Sequence, residues 1–125
     1  MFTYHLLNNN LIVAELTDKS FIIKDSQDAI ELLTSSKEGC NSFIINKKNL
    51  HDDFFNLSSG VAGDILQKFS NYRVKLAIIG DFSGFKSKNQ NDFFHESNRI
   101  GRILFLDNIE EAIARLGKEF VRQGE

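Results

Sequence analysis

The chain predicts an α/β fold: one domain on a mixed, mostly parallel sheet, with an N-terminal β-hairpin and about four helices. Three observations carry this reading. Apolar runs of strand length alternate with stretches of helical periodicity, the spacing of successive β-α-β units. The later strands, Val74 to Ile79 and Arg102 to Leu106, are apolar on both alternating sets of positions, as strands buried on both faces are. A length of 125 residues leaves room for a single core.

The elements follow in order. Phe2 to Leu7 and Leu11 to Leu16 are β-prone runs separated by Asn8-Asn9-Asn10, and Asn tolerates the positive φ of tight turns, so they read as an antiparallel hairpin. Phe21-Ile22-Ile23 reads as a short extended segment. Asp25 or Ser26 caps a helix carrying Ala29, Ile30, Leu32 and Leu33, ended by Gly39. Ser42 to Asn46 is an apolar strand. Val61, Ile65, Leu66 and Phe69 recur at helical spacing over residues 59 to 71 and lead into Val74 to Ile79, closed by Gly80-Asp81. Ser83 to Asn91 is polar and reads as a mobile loop before a helix over Asp92 to Asn98, which shows Phe93 and Phe94 and stops at Gly101. After Arg102 to Leu106, Asp107 or Asn108 caps a final helix with Ile109, Ala112, Ile113, Leu116 and Phe120 on one face. The expected core comprises Ile44, Ile65, Leu66, Phe69, Leu76, Ile78 and Leu104.

Composition excludes several classes. Fifteen Lys and Arg against seventeen Asp and Glu leave a net charge of −2, which offers no field to steer nucleic acid or anionic lipid. No apolar run approaches the roughly 18 residues of a membrane span. The single Cys40 forms neither an internal disulfide nor a metal cluster, and no leader pattern opens the chain, so a cytoplasmic location is expected. Proline is absent and twelve of the fourteen aromatics are Phe, which argues for a Phe-rich core and against a Pro-rich linker.

The order of elements and the central run "FFNLSSGVAGDILQKFSNYRVKLAIIGDF", residues 54 to 82, resemble the STAS domain (sulfate transporter and anti-sigma antagonist). There the turn before the second helix commonly reads Asp-Ser-Ser-Gly; here Leu57-Ser58-Ser59-Gly60 stand at those positions. A closer resemblance, covering most of the chain, is to a bacterial family, the domain of unknown function numbered 4180. That central run, "ESNR" at Glu96 to Arg99 and "EEAIARL" at Glu110 to Leu116 carry it. It implies a STAS-like fold and no established activity. Leu57 stands where an acid precedes the phosphoacceptor serine of anti-sigma antagonists, and the closer family often has Lys-Thr in place of Ser58-Ser59, so the phosphoswitch does not carry over.

The candidate sites each have two readings. Ser58 and Ser59 lie where a helix begins, so their hydroxyls serve as caps, and the same free N–H groups would favour a phosphoryl group. Gly60 and Gly63 make neither a dinucleotide fingerprint nor a phosphate-binding loop, and close helix–sheet packing accounts for them. Ligands of α/β sheets sit at the carboxyl ends of parallel strands, which points to Lys47, Lys48, Asp81, Ser83, Asp107 and Asn108 beside the two serines. His5, His51 and His95 are dispersed and lack metal-site spacing, and Cys40 has no companion that would make it a nucleophile. No cofactor is expected. The favoured reading is a non-enzymatic regulatory or interaction module, acting through a protein partner or small ligand at Ser58 to Gly63 and the 83–91 loop. The alternative is a small enzyme or ligand-binding domain using strand-end residues such as Asp81. A homodimer is a third possibility, because helices confined to one side of the sheet would leave its other face in need of cover.

Overall fold

In the computed structural model, which describes residues 1–123 and the side chains of all of these except Asn9 and residues 118–123, five strands lie side by side in the order in which they occur in the chain. They are β1 (Phe2–Leu6), β2 (Ile12–Leu16), β3 (Cys40–Asn46), β4 (Lys75–Ile79) and β5 (Ile103–Leu106). The helices are α1 (Ser26–Ser35), α2 (Val61–Asn71), α3 (Lys88–Ile100) and α4 (Ile109–Gln123). β1 pairs antiparallel with β2, and the remaining pairings are parallel. No helix among the described residues is long and apolar enough to cross a membrane.

Each parallel connection moves one strand further in the same direction. A constant crossover hand then sends α1, α2 and α3 to the same face. The burial pattern agrees: Ala29, Leu32, Ile65, Phe69 and Phe94 from those helices pack against Ala14, Phe43, Ile45, Leu76, Ile78 and Phe105 of the sheet. α4 follows the last strand and lies on the opposite face, where Ala112 and Leu116 meet Val13, Ile44, Ala77 and Leu104. The second face is therefore covered within the chain, and the need for cover that motivated a homodimer does not arise there. The expected position of Phe120 on that helix lies outside the described side chains.

Element boundaries differ from expectation in ways that have local causes. Leu7 N–H donates to Leu11 C=O at 2.7 Å and closes the hairpin, with Asn10 at φ 63° in the turn. Asp25, rather than Ser26, caps α1 by accepting from Asp28 N–H at 3.0 Å. α1 ends at Ser35, and Gly39, at φ 88°, belongs to the turn into β3. Asn108, rather than Asp107, caps α4 by accepting from Glu111 N–H at 2.8 Å. α3 begins at Lys88, well before Asp92, because Ser87 Oγ accepts from Gln90 N–H. The loop before it is shorter than predicted and is held down. Phe82 and Phe85 pack into the core, and Asn91 Nδ2 donates to Phe85 C=O and Ser87 C=O. Leu66 is half-buried rather than part of the deep core.

"ESNR" has a structural role. β5 is an edge strand, and Asn98 imitates a further strand beside it: Oδ1 accepts from Phe105 N–H at 2.7 Å while Nδ2 donates to Phe105 C=O at 3.1 Å. Ser97 Oγ donates to Ile103 C=O at 2.5 Å. Arg115 of α4 reaches over to donate to Asn98 C=O at 3.2 Å, tying the two helices around this edge. The exposed Glu96–Arg99 pair adds little to stability.

Burial ranks the residues of α2. Phe69, fully buried, should cost about 3–5 kcal/mol on replacement by Ala. The half-buried Leu66 should cost about 1–2 kcal/mol. Urea denaturation of both variants measures the difference, and equal losses would mean that Leu66 is packed as deeply as Phe69.

Candidate functional site

The stretch between β3 and α2 folds as three short 3-10 turns, Lys47–Asn49, Asp52–Phe55 and Leu57–Ser59. Its anchor is Asn49, 2% exposed. Asn49 Oδ1 accepts from Asn46 N–H at 2.9 Å, and Asn46 Oδ1 accepts from Lys48 N–H at 2.9 Å, a reciprocal cap at the end of β3. Asn49 Nδ2 donates to Phe21 C=O at 2.9 Å and Asp18 C=O at 3.2 Å. Backbone bonds from Ile23 N–H to Asn49 C=O and from His51 N–H to Ile23 C=O complete the seam, and of the extended segment expected over Phe21-Ile22-Ile23 only Ile23 pairs, in an isolated bridge to Leu50. The loop after β2 is thereby tied to the loop after β3.

Beside that seam, Lys47 and Gly80 meet at the ends of β3 and β4. A Cβ on Gly80 would lie 2.6 Å from Lys47 Cβ, so only glycine lets the two strand ends come this close. Lys47 Nζ donates to Asp81 C=O at 2.8 Å and lies 4.8 Å from the ring centroid of Phe85 and 5.7 Å from that of Phe82. Asp81 Oδ1 accepts from Ser83 Oγ at 2.6 Å and Ser83 N–H at 2.9 Å. The hydroxyl first, then the backbone N–H, holds the Asp81 carboxyl below its ordinary range, with Lys47 adding in the same direction. Phe55 stacks on Phe85 with centroids 5.0 Å apart, and both contact Phe94, which joins the loop to α3.

Between these groups opens a cleft of about 830 Å³. Asn46, Lys47, Lys48, Leu50, Asp52, Phe55, Asn56, Gly80, Asp81, Phe85 and Gln90 line it. Gln90 Nε2 donates to Phe55 C=O at 2.6 Å, fixing the amide at the wall. Cations, carboxylates and amides thus surround an apolar floor. Of the strand-end residues read from the sequence, Lys47, Lys48 and Asp81 meet here, and Ser83 supports Asp81 from outside the lining. Asp107 and Asn108 do not line the cleft. Asn49, Asp52, Phe55 and Asn56 escaped the sequence reading, and Gln90 entered it only as part of the 83–91 loop. Asn46-Lys47-Lys48-Asn49, two Asn three residues apart at a strand end, was the signal available for the first of them.

Ser58, Ser59 and Gly60 are exposed and lie outside this lining. Gly60, at φ 80°, occupies the N-cap of α2 and has no side chain with which to cap it. Ser59 compensates in part: its hydroxyl donates to Asp53 C=O at 2.8 Å and accepts from Val61 N–H at 3.2 Å. Ser58 Oγ donates to Asn56 Oδ1 at 2.9 Å. The turn touches the cleft only through the 53–56 segment. Cys40 is half-buried, and desolvation pushes its thiol pKa up. Among the described residues no three His, Cys, Asp or Glu come together as a metal site.

The model of one protein family, described as a domain of unknown function (DUF4180), matches residues 8–116. The chain belongs to that family. No curated protein and no solved structure matches it. In this DUF4180 protein the matched span runs from the hairpin turn to Leu116 and takes in the whole strand-end cleft.

Two glycines test the geometry in opposite directions. Gly80→Ala should destabilise by about 1–3 kcal/mol, because both clashing atoms are Cβ atoms that cannot swing aside. Gly63→Ala, in a helix interior with nothing within 4 Å of the added methyl, should stabilise by about 0.4–1 kcal/mol. Denaturant midpoints report both, and a neutral Gly80→Ala would show that the strand ends are not in contact.

The Asp81–Ser83 turn makes a prediction in pH. Because the folded pKa of Asp81 is lowered, its ionised form stabilises the fold above the unfolded-chain value of about 3.9. That contribution is lost as pH falls through the lowered folded value. Ser83→Ala should raise the Asp81 pKa in a carboxyl-detected NMR titration and weaken this part of the acid dependence. An unchanged Asp81 titration would remove Ser83 as its cause.

Proposed function

We propose that this protein is a non-enzymatic regulatory module of STAS-like arrangement that binds a small polar ligand in the cleft at the ends of β3 and β4. The cleft itself carries the reading. Its volume of about 830 Å³ lies within the range of small-molecule sites, and it sits at the carboxyl ends of parallel strands, where α/β sheets bind ligands. Polar groups of both charges converge around Leu50, Phe55 and Phe85, which suits a compact dipolar molecule.

Binding is favoured over catalysis by the chemistry of the lining. It contains no His, Cys or Ser to act as nucleophile or neutral-pH base. Asp81, whose pKa the hydrogen bonds from Ser83 lower, accepts hydrogen bonds from a ligand but is a poor proton donor. Sequential strand order with α1, α2 and α3 on one face supports the STAS-like reading of the scaffold. The regulatory element is the exposed Ser58–Gly60 turn. Ser59 bonds Asp53 C=O, and Phe55 and Asn56 between them line the cleft, so occupancy of the cleft is transmitted to a surface that a protein partner can read.

Titration of ¹⁵N-labelled protein with amino acids, nucleosides and small sugars should give saturable shifts clustered on residues 46–56 and 80–90. Lys48→Ala and Asp81→Ala should weaken that binding by about tenfold or more while remaining folded. Turnover screens of the wild-type chain should give no product. A substrate consumed by the wild type and not by a folded Asp81→Ala variant would replace this reading with the enzymatic one.

A further inference from the structure

The two edges of the sheet are finished differently. At β5 the outward C=O of Ile103 is bonded by Ser97, and both the N–H and the C=O of Phe105 are bonded by Asn98. β1 has no such guard. Leu7 N–H bonds Leu11 C=O and Thr17 N–H bonds Met1 C=O, and with the register Thr3↔Glu15 and His5↔Val13 this makes the odd-numbered residues of β1 the ones that exchange bonds with β2. Alternation in an antiparallel pair then turns the N–H and C=O of Phe2, Tyr4 and Leu6 outward. Among the described residues, none of these groups has a partner.

Exposed edges are ordinarily protected by charge, proline or a bulge. β1 reads Phe-Thr-Tyr-His-Leu, without Lys, Asp, Glu or Pro, and its register with β2 is unbroken. Leu6 is 71% exposed at its end and Met1 is 47% exposed at the other.

We propose that β1 pairs antiparallel with β1 of a second copy about a two-fold axis at Tyr4, joining the two sheets into one. The strand is self-complementary in that register. The outward groups meet as hydrogen-bonded pairs, Phe2 with Leu6 of the partner subunit and Tyr4 with Tyr4 of the partner subunit, forming about six interchain backbone bonds. Exposed Leu6 is then covered by Phe2 of the partner subunit, and on the opposite face Thr3 meets His5 of the partner subunit. Each cross-strand pair is apolar with apolar or polar with polar, and no carboxylates or ammonium groups of the two strands are opposed. An isologous contact of this kind satisfies both copies with one surface, which favours a second copy over an unrelated strand. No residue of β1 lines the cleft, so pairing leaves it open.

Light scattering of the full chain should give about twice its 14.3 kDa mass. Hydrogen exchange followed by NMR should find the amides of Phe2, Tyr4 and Leu6 protected along with those of Thr3 and His5. Leu6→Lys places a charge beside Phe2 of the partner subunit at a site exposed in the monomer. That variant should keep its circular dichroism spectrum, become monomeric and lose protection at the even-numbered amides only. A wild-type monomer at NMR concentrations would overturn the proposal. So would a dimer whose Phe2, Tyr4 and Leu6 amides exchange freely.

Discussion

The fixed hand of the parallel crossovers, acting on strands laid down in chain order, is the constraint from which the rest of the molecule follows. Each of α1, α2 and α3 is carried to the same face, and no later strand reverses the direction to recruit a helix to the other. That leaves α4, which follows the last strand, to close the second face. Its strongly amphipathic sequence meets a sheet surface of Val13, Ile44, Ala77 and Leu104, so one helix completes a core that would otherwise face water. The same order aligns the carboxyl ends of β2 to β5 along one rim, and the cleft forms where two neighbouring ends, those of β3 and β4, are forced together.

Polar side chains, rather than regular structure, hold the irregular parts of this proline-free chain. Asn49 is buried with its amide bonded on both sides, which links two loops distant in sequence. Asn98 performs the equivalent service at the β5 edge, and Ser59 joins two consecutive turns. No buried side-chain nitrogen or oxygen among the described residues lacks a partner. An amide that bonds backbone on both sides orders a loop without a large apolar contact, and burial in low dielectric strengthens those bonds. The rim of the cleft is consequently shaped by hydrogen bonds and its floor by phenylalanine.

The phenylalanines explain why a polar loop is held against the body of the protein. Phe82 and Phe85 carry residues 81–87 into a cluster with Phe55, Phe94 and Phe105, and Lys47 closes the arrangement by lying over two of the rings. Aromatic edge-to-face contacts and a half-buried cation reinforce one another where water is partly excluded. The carboxylate of Asp81 stays exposed at this point, and the hydrogen bonds from Ser83 lower its pKa against the opposing effect of desolvation.

By itself the sequence determined the α/β class, the hairpin, every parallel strand and all four helices, because periodicity and capping are local properties that burial later reinforces. It also pointed to Lys47, Lys48 and Asp81 through the rule that places ligand sites at strand ends. Only the tertiary structure decided which of the strand-end residues meet. Ser58 and Ser59, close in the chain to residues of the cleft, lie outside its lining, whereas Gln90, 35 residues from Phe55 in the chain, bonds its carbonyl. Local patterns specify which face of an element is apolar; they do not specify the distances between loops, which depend on contacts as small as the missing Cβ of Gly80 against Lys47. The fates of "ESNR" and of the two sheet edges were hidden for the same reason, since whether a backbone group is already bonded depends on residues far away in the chain.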